Sequence, residues 1–158
     1  MQADTVAINP PDFQDFDALH DLLQGAFSEM DGRIDPPSSM TRLDVAGLRA
    51  KAQAEDLLII RTPDRPIACV FGQKQGFSYY IGKLAVAKTH RRLGLARRLI
   101  DAAALRAQVL GCTALTLQTR VELVENHITF ARLGFVQTGA EAHPGYDRPT
   151  SLSFRRLV

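Results

Sequence analysis

The chain has 158 residues, a net charge of +2, 46% apolar and 23% charged side chains, and two cysteines. That length suits a single domain over residues 1–158, and the composition excludes collagen-like, low-complexity or wholly disordered classes. Two cysteines, Cys69 and Cys112, are too few for a disulfide framework or a four-cysteine zinc site, and the mild charge gives no argument for a nucleic-acid partner.

The N-terminus MQADTVAINP has neither the basic start nor the apolar core of a signal peptide. No apolar run approaches the ~18 residues of a membrane span. A cytoplasmic protein with no membrane partner is expected.

Thr5 to Ile8 alternates and stops at Asn9-Pro10-Pro11, which predicts a short strand. Asp12 opens a helical pattern that places Phe13, Phe16, Leu19, Leu22, Leu23 and Phe27 on one face, and Asp31-Gly32 ends it. Residues 31–39 form a polar loop with two prolines. A second helix is expected from Thr41 to Ala54, on the weaker stripe Leu43, Ala46, Leu48 and Ala50. Three strands follow, Leu57–Ile60, Ile67–Gln73 and Tyr79–Ala87, and their short links predict antiparallel pairing.

The period then changes. Ala96, Leu99, Ile100, Ala103, Ala107 and Leu110 repeat at helical spacing, and Gly111 closes the helix. Thr113–Thr119 reads as a strand, Val124–Leu133 as a short helix, and Phe135–Thr138 and Thr150–Leu157 as the last strands. The expected order is β-α-α-β-β-β-α-β-α-β-β, a mixed α/β domain.

The chemistry is concentrated in residues 84–100. A strand enters a basic turn that opens directly into the long helix. Gly94 and Ala96 let a ligand approach the backbone, and the first N–H groups of the helix, with its positive dipole end, face outward. Arg91, Arg92, Arg97 and Arg98 add charge around that terminus. Such an end captures phosphate or pyrophosphate. The Rossmann glycine triplet and the phosphate loop ending in Gly-Lys-Ser/Thr are both absent.

Arg91-x-x-Gly94-x-Ala96 resembles the Q/R-x-x-G-x-G/A signature of the GNAT N-acetyltransferase superfamily. Glu125-Asn126 followed by Phe130 and Gly134-Phe135 resembles that family's second motif, and the element order agrees over nearly the whole chain. The resemblance implies the GNAT acyl-CoA N-acyltransferase fold, a mixed, mostly antiparallel sheet flanked by helices, with acetyl-CoA as cofactor. It implies that acetyl-CoA lies between two splayed strands, here those of Leu84–Val86 and Thr113–Thr119. Backbone groups of Leu84, Ala85 and Val86 would bind the pantetheine arm as an added strand. The amides from Arg91, Arg92, Leu93, Gly94, Leu95 and Ala96 through Arg97 would hold the pyrophosphate. Asn126 would reach the pantetheine near the thioester. An amine would attack the thioester directly, with no enzyme-bound intermediate and no metal.

Two departures stand out. The family often has a tyrosine, the general acid, where this chain has Phe130, which carries no proton to donate. Tyr146 is the first substitute, with His143, His127, Tyr79 and Tyr80 behind it. The family's central strand also often offers a glutamate, but residues 78–86 hold no carboxylate. Glu29, Asp31, Asp35 and Glu122 remain. Glu29, Arg33 and Asp35 are expected at the acceptor wall, Arg33 suiting a substrate carboxylate and Asp35 an amine. The expected partner is a small-molecule, amino-acid or peptide amine. A homodimer through the C-terminal strand edges is compatible with the family. A non-catalytic acetyl-CoA-binding sensor of the same fold is the alternative.

Overall fold

The apolar run of Leu57, Leu58, Ile59 and Ile60 is unbroken because both faces of its strand are covered. Leu58 and Ile60 join one hydrophobic cluster, and Leu57 and Ile59 join another on the opposite side. The structure, a computed structural model, describes residues 5–158. Seven strands among them form one sheet. They are β1 (Ala7–Ile8), β2 (Asp56–Arg61), β3 (Pro66–Gln75), β4 (Ser78–Val86), β5 (Ala114–Arg120), β6 (Val136–Glu141) and β7 (Ser151–Leu157), in the spatial order β1-β2-β3-β4-β5-β7-β6. All neighbours pair antiparallel except β4 and β5, which are parallel. The predicted order of strands and helices is the observed one.

Helix α1 (Phe16–Phe27) and helix α2 (Val45–Ala54) lie on one face of the sheet, where Leu19, Leu23 and Leu48 meet Phe71 and Ala85. Helix α3 (Leu95–Val109) covers the other face with Leu95, Leu99, Ile100, Ala103 and Ala107, and helix α4 (Val124–Arg132) lies beyond it with Phe130 packed on the same cluster. Two helix starts differ from the sequence expectation. The Asp15 side chain accepts from the Ala18 N–H, so α1 begins at Phe16 rather than after Asp12. Asp44 likewise caps α2 through the Gly47 N–H at 2.7 Å. The expected helix from Thr41 is thereby split into a 3-10 turn, Ser39–Arg42, and α2.

A half-buried polar knot ties the sheet to α3. Asp56 accepts from Tyr79 Oη at 2.6 Å, Asn9 Nδ2 at 2.7 Å and Arg106 Nε at 3.0 Å. Burial pushes its carboxyl up, but bonds from Arg106, Tyr79 and Asn9 hold it below the ordinary value. The Tyr79 side chain lies close against Gly72, where a Cβ would sit 2.4 Å from its Cε2, Cζ and Oη atoms. Asp56→Ala strands the fully buried Tyr79 hydroxyl and the Arg106 fork. It is expected to cost about 2–3 kcal/mol and to lower Tm by roughly 5–10 °C in a thermal melt, whereas Tyr79→Phe should cost only about 1 kcal/mol.

Candidate active site

β4 and β5 pair only over Ser78–Tyr80 and Ala114–Thr116. Beyond Tyr80 the two strands are no longer paired, and the sheet opens into a V. A bulge accompanies the opening: Lys83 and Leu84 together face the single residue Val70, and Lys83 takes φ +55°. The V holds a cavity of about 570 Å³, lined from β4 by Tyr80, Gly82, Lys83 and Leu84 and from β5 by Leu117, Thr119 and Arg120. Phe27, Met30 and Ile34 make its apolar wall on the α1 side, and Asn126 and Phe130 of α4 border it on the other.

Beyond the V the chain leads to the start of α3. The chain leaves β4, makes a 3-10 turn over Lys88–His90 and enters α3 through Gly94. Gly94 has φ +78°, no side chain caps the helix, and a Cβ built on Gly94 meets no atom within 4 Å. The first N–H groups of α3 therefore face open space, with Leu95 buried beneath them and Leu93 exposed. Arg91 braces this turn from outside. It donates to the Val86 carbonyl at 3.4 Å and makes a fork to Glu29 at 3.1 and 3.2 Å, which holds the Glu29 carboxyl below its usual range. Arg97 reaches the Arg132 carbonyl at 3.5 Å. This terminus has the open backbone, glycine and charge that a pyrophosphate needs, so the residues present fit the cofactor expected from the sequence.

The residues expected at the acceptor wall are dispersed. Glu29 pairs with Arg91 and Lys88, outside the cavity lining. Arg33 is spent on Glu125 through two bonds of 2.6 and 2.8 Å, which pull the Glu125 carboxyl down to about 2. Asp35 also stands behind the lining. It accepts from Tyr146 Oη at 2.6 Å and from Arg148 at 3.3 Å, and its own N–H donates to Glu122 Oε2. The second Glu122 oxygen is buried with no hydrogen-bond partner. Among the described residues that line the cavity there is no aspartate or glutamate.

Tyr146 and Asn126 do border the cavity. The Tyr146 hydroxyl is kept protonated by its bond to Asp35. Asn126 Nδ2 points to Thr119 Oγ1 at 3.5 Å. Phe130 packs edge-on against Phe135 in an aromatic cluster. The other substitutes separate clearly. Tyr79 is sealed in the core, His127 Nε2 donates to the Arg120 carbonyl, and His143 lines the cavity while bonded to Thr150. Burial pushes the Cys69 thiol up to about 12, and Cys112 is buried as well. Neither is a nucleophile.

Lys83 is the residue that sequence reasoning missed. It sits on the bulge, half-buried, with Nζ donating to Ser39 Oγ at 2.5 Å and lying 5.3 Å from the Phe27 ring centre. Burial, with Lys51, Arg120 and Arg42 nearby, lowers it to about 8. A lysine between Gly82 and Leu84 in an otherwise apolar central strand was the available signal.

A model described as the acetyltransferase (GNAT) family matches residues 16–135. Several solved structures share the architecture. A ribosomal-protein-S18-alanine N-acetyltransferase from Escherichia coli is 17% identical, with 97% of this chain and 94% of that chain covered and a TM-score of 0.69. A GNAT family acetyltransferase from Elizabethkingia anophelis, with acetyl-CoA bound, is 15% identical over 98% and 97% of the chains, with a TM-score of 0.68. A nourseothricin acetyltransferase is 18% identical, with a TM-score of 0.60; the match covers 67% of this chain, which spans 66% of that protein's length. At such identities the likeness is one of fold. Among the described residues no helix is long and apolar enough to cross a membrane.

Proposed function

Because the chain belongs to the GNAT acetyltransferase family, whose cofactor is acetyl-CoA, we propose that it is an N-acetyltransferase for the primary amine of a small molecule, amino acid or peptide. The observation that carries this reading is the arrangement along β4: its edge is unpaired beyond Tyr80, the cavity in the V opens on that edge, and the strand runs on into the turn that enters the uncapped start of α3 at Gly94. Acetyl-CoA would supply the acetyl thioester: the amine nitrogen bonds to the carbonyl carbon, the carbon–sulfur bond breaks, CoA leaves as the thiol, and the amine loses a proton.

Each role falls to a named part of the chain. The amides of Arg91 or Arg92 through Arg97 hold the pyrophosphate. The unpaired edge at Leu84, Ala85 and Val86 takes the pantetheine arm as an added strand. Asn126 orients that arm near the reacting end. Lys83 Nζ, with a pKa lowered to about 8, takes the proton from the attacking amine. Tyr146 Oη, at the cavity edge, would give its proton to the departing sulfur by turning its O–H away from Asp35, in place of the hydroxyl that Phe130 lacks. Positioning in the closed gap and an N–H of β4 aimed at the carbonyl supply the rest of the catalysis. The cytoplasm, where acetyl-CoA is made available to such enzymes, suits this role.

The test joins binding to turnover. Acetyl-CoA at ~100 times its Kd is expected to add roughly 2.7 kcal/mol, a Tm rise of about 5–10 °C, while a nicotinamide dinucleotide gives none. A panel of amines should then release free thiol. A Tm rise without thiol release from any amine would favour the non-catalytic acetyl-CoA-binding module, a reading that Phe130 and the carboxylate-free lining support. No rise would overturn both.

A further inference from the structure

The half of the cavity that faces α1 and α2 is lined by cations from four different elements. Arg42 comes from the 3-10 turn, Lys51 from α2, Lys83 from β4 and Arg120 from β5. None of the nearby carboxylates lines the cavity, and each accepts a bond from the protein. Glu55 pairs with Lys51 at 2.8 Å, Glu141 accepts from Gln118, Glu122 accepts from the Asp35 N–H, and Asp35 holds Tyr146 and Arg148. Two of the cations have capacity to spare. Arg42 makes no ion pair among the described residues. Arg120 gives N–H bonds to the carbonyls of Pro36 and Pro37, and a guanidinium has five donors. Arg42 and Arg120, which stay protonated and have no carboxylate partner among the described residues, put fixed positive charge on this wall, and such charge attracts an anionic ligand and repels a cationic one. The arginine fork in particular matches the paired oxygens of a carboxylate or phosphate.

Resting on the transferase reading above, we propose that the acceptor is a small amine that also bears an anionic group, a carboxylate or a phosphate, held by Arg42 and Arg120, with an apolar body against Phe27, Met30 and Ile34. The cavity volume of about 570 Å³ limits that acceptor to roughly the size of an amino acid or dipeptide once the acetyl end shares the space. Polycationic amines are excluded by the same charge.

The test compares four acceptors with the full chain: leucine (carboxylate), phosphoethanolamine (phosphate), leucinamide (neutral) and spermidine (cationic). At least one anionic acceptor should exceed leucinamide and spermidine about tenfold in kcat/KM, and the better of the two names the anion. In Arg42→Gln that preference should collapse about tenfold through KM, with the KM for acetyl-CoA unchanged. Leucinamide or spermidine matching or exceeding both anionic acceptors would overturn the proposal. If none of the four turns over, calorimetry of N-acetylleucine, O-phosphoethanolamine and N-acetylleucinamide against CoA-loaded protein decides. Preference for an anion that Arg42→Gln removes supports it, and equal or absent binding of all three overturns it. Loss of the acetyl-CoA thermal shift would instead mark failure of the transferase reading itself.

Discussion

Gly94→Glu is expected to abolish acetyl-CoA binding, with a loss of at least about 100-fold in affinity, while the protein stays folded. Gly94 has φ +78°, so any L-residue there carries strain of about 1–2 kcal/mol. The strain is local, because a Cβ at Gly94 meets nothing within 4 Å. A glutamate carboxylate beside the uncapped start of α3 even recovers part of that cost through the helix dipole, about 0.3–1 kcal/mol. The same carboxylate stands at the proposed pyrophosphate position and would meet that group with like charge. Gly94→Ala carries the strain without the charge and should keep affinity within roughly tenfold, about 1.4 kcal/mol. Titration of both variants with acetyl-CoA, alongside thermal melts, separates charge from folding. Undiminished affinity in Gly94→Glu would remove the pyrophosphate site from the start of α3.

Lys83→Met should lower kcat by roughly 100-fold with little change in the KM for acetyl-CoA, the usual scale for loss of a general base. Methionine is a stem of similar length without the nitrogen that lies 5.3 Å from the Phe27 ring centre and would accept the proton. The pH profile carries the sign. Lys83 acts in its neutral form, so wild-type activity should climb as pH rises through about 8, and that limb should vanish in the variant. Burial sets this value first, together with Lys51 from α2, Arg120 from β5, Arg42 from the 3-10 turn and Glu55 just after α2. Stability follows in the same direction. The folded pKa lies below the ordinary 10.5, so the cost of burying the ammonium is fully present below about 8 and disappears as pH rises toward 10.5. Wild type should therefore gain on Lys83→Met in Tm across that window. An unchanged kcat in the variant would take the base role away from Lys83.

The two site halves differ in how far they could be read from residue order. The proposed cofactor half is local in sequence: residues 84–97 form one strand end, one turn and one helix start. Small residues at 94 and 96 and the switch from alternating to helical period mark the place without any distant contact. The acceptor half is assembled from residues 27–42, 51, 80–84, 117–120 and 143–146, which no local pattern connects. For that reason Arg33 and Glu29, which looked available to a substrate, turn out to be bound to Glu125 and Arg91, positions 92 and 62 residues away. Lys83, which looked like an ordinary strand residue, turns out to occupy the bulge.

Hydrophobic period was enough to determine the order of elements, and the resemblance of Arg91-x-x-Gly94-x-Ala96 and of the Asn126 to Phe135 motif was enough for the family. These depend on interactions within a few residues, where each side chain's face is set by its place in the repeat. Only the tertiary structure decided where β4 and β5 separate, which charges cancel one another, and that Arg42, Lys51, Lys83 and Arg120 share one cavity. Those outcomes depend on which distant elements the packing of the core brings opposite each other, and a side chain's charge has no meaning for binding until its partners across the fold are in place.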